Sequence, residues 1–316
     1  MFRPLVPYLQ LCRLAAVFTA VSDICAGLAL TGQLTPWKWE NVWLICASAG
    51  LYLSGMVFND YFDRRIDAVE RPKRPIPSGR VSAPAAARLG VMLLIAGLVF
   101  AGLAAFQSGR TEQPVLVAIL LAGAILAYDG GGKGTAFGPV IMGSCRFLNL
   151  LLGASLALPV VNAAGVAPRN FGAVWQNPQL FVAGALWVYI AGVTLFAKNE
   201  AGASRRGELA SAIGVINAGL LLLGLYCWFH SDPLGRGGRA VLALGMIALV
   251  INRAAVSAWR DPRPMRVQFG VRTMLSWLIL LDAVLVFHSH PNPWVAIAVA
   301  LLILPAKWIG KSLAIT

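Results

Sequence analysis

The chain has 316 residues, of which 58% are hydrophobic and only 12% charged. Soluble domains carry roughly 25% charged residues, so the composition excludes an ordinary soluble enzyme. Basic residues outnumber acidic ones by 26 to 13, a net charge of +13. In so apolar a chain that surplus reads as loop charges on one membrane face plus an anion site, and no nucleic-acid partner is expected.

Apolar runs long enough to cross a bilayer recur along the whole length. The first follows Arg3 and Arg13 and reaches about Leu30, with Asp23 inside it. It is too long for a signal peptide and lacks a small-residue cleavage site. The second runs from about Asn41 to Phe58, the third from Ala85 to Gln107 and the fourth from Pro114 to Tyr128. A glycine-rich turn with Asp129 and Lys133 leads into a fifth span that carries Arg146 and Asn149. After a polar loop, the sixth span runs from about Leu180 to Ala197, the seventh from Leu209 to Phe229, the eighth from Ala240 to Ser257 and the ninth from Thr273 to His288. A short tenth apolar run, Trp294 to Leu304, closes the chain. The expected fold is all-α: one polytopic transmembrane helical bundle of nine to ten spans, a single domain over residues 1–316. The five cysteines lie in apolar runs without ligand spacing, so neither disulfides nor zinc are expected.

The stretch Asn59 to Ser82 concentrates the charge. Asn59, Asp63 and Asp67 are spaced i, i+4, i+8, which puts them on one helical face. Carboxylates in a row repel unless a cation lies between them. Single carboxylates at this spacing suit Mg2+, which keeps waters and binds substrate phosphates. Arg71, Lys73, Arg74 and Arg80 follow among Pro72, Pro75, Pro77 and Gly79. Arginine forks and a lysine charge grip phosphate oxygens, so Arg71 and Lys73 are candidate diphosphate ligands. Arg146 and Asn149 share a helical face deep in the fifth span, where polar residues are costly and functional. Lys133, Arg146 and Asn149 are expected to reach the diphosphate from the opposite wall.

The pattern N-D-x-x-D-x-x-x-D followed by R-P-x-R-P-I-P-S-G resembles the first signature of the UbiA superfamily of intramembrane prenyltransferases. The resemblance implies a helical membrane enzyme that moves an isoprenoid chain from its diphosphate to an acceptor with Mg2+. It also implies that Tyr128 and Lys133 contact the diphosphate. The family's second motif, Asp-x-x-x-Asp, is expected after the sixth span, and here the chain departs from it. Lys198 to Gly214 contains no aspartate and offers Glu200, Ser204 and Glu208 at i, i+4, i+8. These are the candidates for a second, retuned Mg2+ site.

The expected function is therefore Mg2+-dependent transfer of a prenyl group from a prenyl diphosphate to an aromatic or other small lipophilic acceptor, with release of diphosphate. Asn59, Asp63, Asp67 and Glu200 are the expected catalytic residues. A non-catalytic isoprenoid or lipid carrier on the same fold is the alternative, and a transporter ranks below it because the acids cluster at one interface and not at the midplane. Basic residues are concentrated in the even-numbered connections. That asymmetry places the acidic row on the cytoplasmic side of the membrane, and a bacterial cytoplasmic membrane is the expected location.

Overall fold

The computed structural model of the protein describes residues 5–109, 112–157, 177–198, 204–230 and 235–313. Thirteen α-helices occur among them, with no strand. The short α1 (Val6–Leu11) precedes α2 (Val17–Leu30), α3 (Trp39–Phe62) and a one-to-two-turn α4 (Arg64–Glu70). Then come α5 (Ala83–Ser108), α6 (Gln113–Asp129), α7 (Gly138–Gly153), α8 (Asn177–Ala197) and α9 (Arg206–Phe229). The chain finishes with α10 (Gly237–Arg260), α11 (Pro264–Ser289), α12 (Pro293–Leu301) and α13 (Ile303–Ser312). Eight helical segments are long and apolar enough to cross a membrane, and Leu14–Leu30 and Gln113–Asp129 are shorter apolar helices. The last of the eight, Pro293–Ser312, is divided between α12 and α13. The expected run of spans is present.

Local chemistry sets the helix ends. Ser82 Oγ accepts from the Ala85 amide at 3.3 Å and Pro84 sits in the first turn, so α5 starts there. It ends at Gly109, whose φ of +60° favours glycine. Asn292 Oδ1 caps α12 by accepting from the Trp294 amide at 3.0 Å.

Outward faces are apolar. On α5, Met92, Ile95, Val99, Leu103 and Phe106 form an exposed stripe at helical spacing. On α10, Leu242, Met246 and Leu249 do the same. Such stripes need hydrocarbon around them, and the protein is an integral, multi-pass membrane protein. Exposed Trp37, Trp39, Trp228 and Trp294 all lie where helices meet the face opposite the acidic row, the usual level of an aromatic belt.

Small residues bring the helices close, as packing inside a bilayer demands. The α3–α5 pair is the most extensive contact. A Cβ on Gly97 would lie 3.0 Å from the Ala47 carbonyl oxygen and the Leu51 amide, and a Cβ on Gly50 3.1 Å from Gly97 Cα. Gly219 plays the same part against Tyr189 between α9 and α8. Gly97→Val is expected to force α5 off α3 and to cost about 1–3 kcal/mol. Thermal unfolding in detergent checks this, and an unchanged midpoint would contradict the packing argument.

Candidate active site

The acidic row survives a change of helix. Asp63 is the C-terminal cap of α3 and also the residue before α4. Backbone bonds from Asp63 N to Asn59 O (3.0 Å), Asp67 N to Asp63 O (2.9 Å) and Arg71 N to Asp67 O (2.9 Å) carry the i→i−4 ladder across the junction. The i, i+4, i+8 register therefore holds in space as in sequence.

Each rung meets a cation of the protein. Arg13, just before α2, donates to Asp60 Oδ1 at 2.6 Å and to Asn59 Oδ1 at 3.3 Å. Arg74 donates to Asp60 Oδ1 at 3.1 Å and to Asp67 Oδ2 at 2.6 Å. Lys133 Nζ forms an ion pair with Asp63 Oδ1. Burial works against the Arg13 charge, but the Asp60 carboxylate and its hydrogen bond outweigh it and raise the pKa above the ordinary arginine value. On the far side, Asn59 Nδ2 donates to Asp129 Oδ1 at 3.3 Å, across to the end of α6.

The basic loop is folded. Arg74 N, Ser78 N and Val81 N bond to Arg71 O, Arg74 O and Pro75 O, each at 3.0 Å. Gly79 takes φ +74°, which is why a glycine closes this turn. Arg80 is spent on structure, donating to Gln10 Oε1 at 2.9 Å and to the Lys73 carbonyl at 2.7 Å. Lys73 is exposed, while Arg71, whose amide bonds to the Asp67 carbonyl, and Tyr128, next to Asp129 in the chain, are half-buried.

The structure adds detail to two sequence expectations. Arg146 and Asn149 were expected on the diphosphate, but their bonds go elsewhere. Arg146 donates to Asp23 Oδ2 (2.7 Å), the Thr19 carbonyl (2.9 Å) and Thr19 Oγ1 (2.6 Å). Asn149 donates to Asp23 Oδ2 (2.8 Å) and the Ala20 carbonyl (3.0 Å), and accepts from Ser48 Oγ (2.7 Å). Asp282 joins from α11 by accepting from Ser22 Oγ at 2.5 Å. All of these side chains are buried, and the network ties α2, α3, α7 and α11 together. It lies beside Tyr52, whose ring is 5.7 Å from the Arg146 guanidinium and about two helical turns before Asn59. A buried guanidinium must have a counter-charge, and Asp23 supplies it.

The second expectation concerns Glu200, Ser204 and Glu208. Glu200 lies outside the described residues. Helix α8 ends at Ala197 and α9 begins at Arg206, so Ser204 precedes the helix that holds Glu208. Ser204 and Glu208 therefore do not lie on one helix. Ser204 is buried and Glu208 is exposed in the first turn of α9. Arg206 ties this end to α10 by donating to the Arg260 carbonyl at 3.0 Å.

Arg13, Asp60, Arg74 and Asp129 are the residues of this site that the strict four-residue spacing passes over. Asp60, Asp63 and Asp67 are also i, i+3, i+7, a helical face in its own right. That signal was available for Asp60, whereas Arg13 and Asp129 come from distant helices.

A sequence model of the UbiA prenyltransferase family matches residues 20–266. The chain belongs to the UbiA prenyltransferase family. Among its relatives, the digeranylgeranylglyceryl phosphate synthase of Methanothrix thermoacetophila is 42% identical over 95 residues, 30% of this chain and 36% of the relative. The chloroplastic chlorophyll synthase of Arabidopsis thaliana is 35% identical over 112 residues, 34% of this chain and 29% of the relative. The matched segments thus span about a third of each curated relative. A UbiA homolog from Archaeoglobus fulgidus, solved bound to DMAPP and Mg2+, shares the fold with a TM-score of 0.63 at 14% identity, covering 93% of this chain and 98% of that one.

The first row of this UbiA-family chain fits a divalent cation. Asn59 and Asp63 present hard oxygen donors, and the spot beside Asp63 already holds a positive charge, the buried ammonium of Lys133. The second row is the weaker donor set, because its described members are a hydroxyl and an exposed carboxylate.

Proposed function

We propose that the protein is an intramembrane prenyltransferase, taking a prenyl diphosphate and a small lipophilic acceptor and releasing diphosphate. The observation that carries this is the row Asn59–Asp63–Asp67, with Lys133 on Asp63 and arginines on its flanks, at one end of an apolar bundle. Asn59 and Asp63 would hold Mg2+, with Glu200, Ser204 and Glu208 as candidates for a second ion. Bound there, Mg2+ would supply charge to a departing diphosphate.

The protein's own groups do the rest. Lys133, Arg13 and Arg71 stand close to the row and provide donors for diphosphate oxygens, with Lys73 and Tyr128 at the rim. Asp67 and Asp60 hold Arg74, which fixes the loop that carries Arg71 and Lys73. The apolar helices below exclude water from a developing allylic cation, and Tyr52 offers a π face to it. The allylic C–O bond to the diphosphate breaks, the freed carbon bonds to the acceptor, and the acceptor's displaced proton passes to the released diphosphate or to water. We place this face on the cytoplasmic side: Arg13, Arg64, Arg65, Arg71, Lys73, Arg74 and Arg80 cluster here, against Lys38, Arg236 and Arg239 at the other face.

Purified protein in nanodiscs, given prenyl diphosphates of different chain lengths and a cell extract as acceptor source, is expected to release diphosphate only with Mg2+. Chelation should abolish release and restored Mg2+ should recover it. The exposed Glu208 and the missing aspartates favour one second reading, a carrier that binds isoprenoid diphosphates without turning them over. Tight binding with no release across the whole panel would select it.

A further inference from the structure

Asp129 has no place in the reading so far, yet it is one of the few buried acids of the protein, 5% exposed at the last residue of α6. Every other acid of this cluster from Asp60 to Asp67 has a cation. Asp60 has Arg13 and Arg74, Asp63 has Lys133 and Asp67 has Arg74. Asp129 has no ion pair among the described residues, and its hydrogen bond comes from the neutral Asn59 amide. A buried carboxylate with no ion pair of its own is costly, which points to a cation that arrives from outside the chain. The place is suited to one. Lys133 and Arg13 act on Asp129 from a distance as favourable charges and Asp63 as an unfavourable one. The Lys133 ammonium is shielded from solvent and lies against Asp63, so a positive charge already occupies the space between α3 and α6. Gly55, one turn before Asn59, lets α3 pack close to α6 beside Asp129. A Cβ there would come within 4.0 Å of Asp129 Oδ2 and 3.0 Å of Ile125 Cγ2.

We infer that Asp129 is a metal ligand of the first row, bringing a second carboxylate to the divalent cation held by Asn59 and Asp63. This rests on the prenyltransferase reading and deepens it. It gives α6 the acidic role that the stretch after α8 is poorly equipped to fill, since Lys198 to Gly214 contains no aspartate. One or two carboxylates plus substrate phosphate and water make a sufficient Mg2+ shell. The Lys133 ammonium, displaced from Asp63, becomes a donor for the diphosphate.

Mn2+ titrated into the full-length protein in nanodiscs with geranyl thiolodiphosphate, and followed by electron paramagnetic resonance, tests the assignment without turnover. Asp129→Asn keeps an acceptor for the Asn59 amide and removes only the charge. It is expected to weaken Mn2+ binding by about tenfold or more, as Asp63→Asn is also expected to do, with an unchanged unfolding midpoint. Wild-type affinity in Asp129→Asn alongside lost affinity in Asp63→Asn would overturn the assignment and leave the first-row reading intact. Absence of specific Mn2+ binding in folded wild-type protein would overturn both.

Discussion

Asp63→Asn is expected to cut diphosphate release by about 10²–10³-fold while the protein stays folded. The residue sits at the junction of α3 and α4, where one carboxylate faces the Lys133 ammonium and the middle of the row. Asparagine keeps the size and one oxygen but removes the charge that balances both a cation and Lys133. The substitution also leaves Lys133 without its partner, so prenyl diphosphate binding is expected to fall less than turnover. Diphosphate release and equilibrium binding, measured on the same nanodisc preparation, separate the two. Unchanged turnover in the folded variant would contradict the assignment of Asp63.

The second large effect is on stability and comes from the inner network. Asp23→Ala removes the counter-charge of the buried Arg146 guanidinium and an acceptor of Asn149. Breaking a buried pair from one side is expected to cost about 3–5 kcal/mol. Asp282→Asn should behave differently. Asp23 Oδ1 and Asp282 Oδ1 both lack a donor, and the two carboxyls lie within hydrogen-bonding reach of each other. An amide at position 282 supplies that donor and removes one of two facing acids, so stability is expected to stay within about 1 kcal/mol of wild type. Thermal unfolding of the two variants in detergent decides it. Equal losses would contradict the view that Asp23 is the ion pair and Asp282 its hydrogen-bonded neighbour.

Local signals in the sequence carried well into space. Apolar runs gave the helices because a bilayer admits little else. The row Asn59–Asp63–Asp67 kept its register because the i→i−4 ladder runs straight through Asp63. Long-range pairings were not legible. Arg146 read as a phosphate ligand because its spacing with Asn149 defines a face, but spacing does not say what the face meets, and it meets Asp23 on α2. Arg13 looked like an ordinary flanking charge, yet it closes over Asp60 from 47 positions away. The four-residue spacing of Glu200, Ser204 and Glu208 suggested a second helical row, but α9 starts only at Arg206. Periodicity carries meaning only inside one helix.

The central claim is that the α3 row, with the end of α6 and the turn after it, is a metal–diphosphate site. Locating Mn2+ and geranyl thiolodiphosphate in an experimental structure, by the anomalous signal of the metal, tests that most directly. The account predicts a manganese peak against the Asp63 carboxylate between α3 and α6, with the diphosphate reaching Lys133 and Arg13. A diphosphate bound away from the row, with no manganese at Asp63, would contradict it.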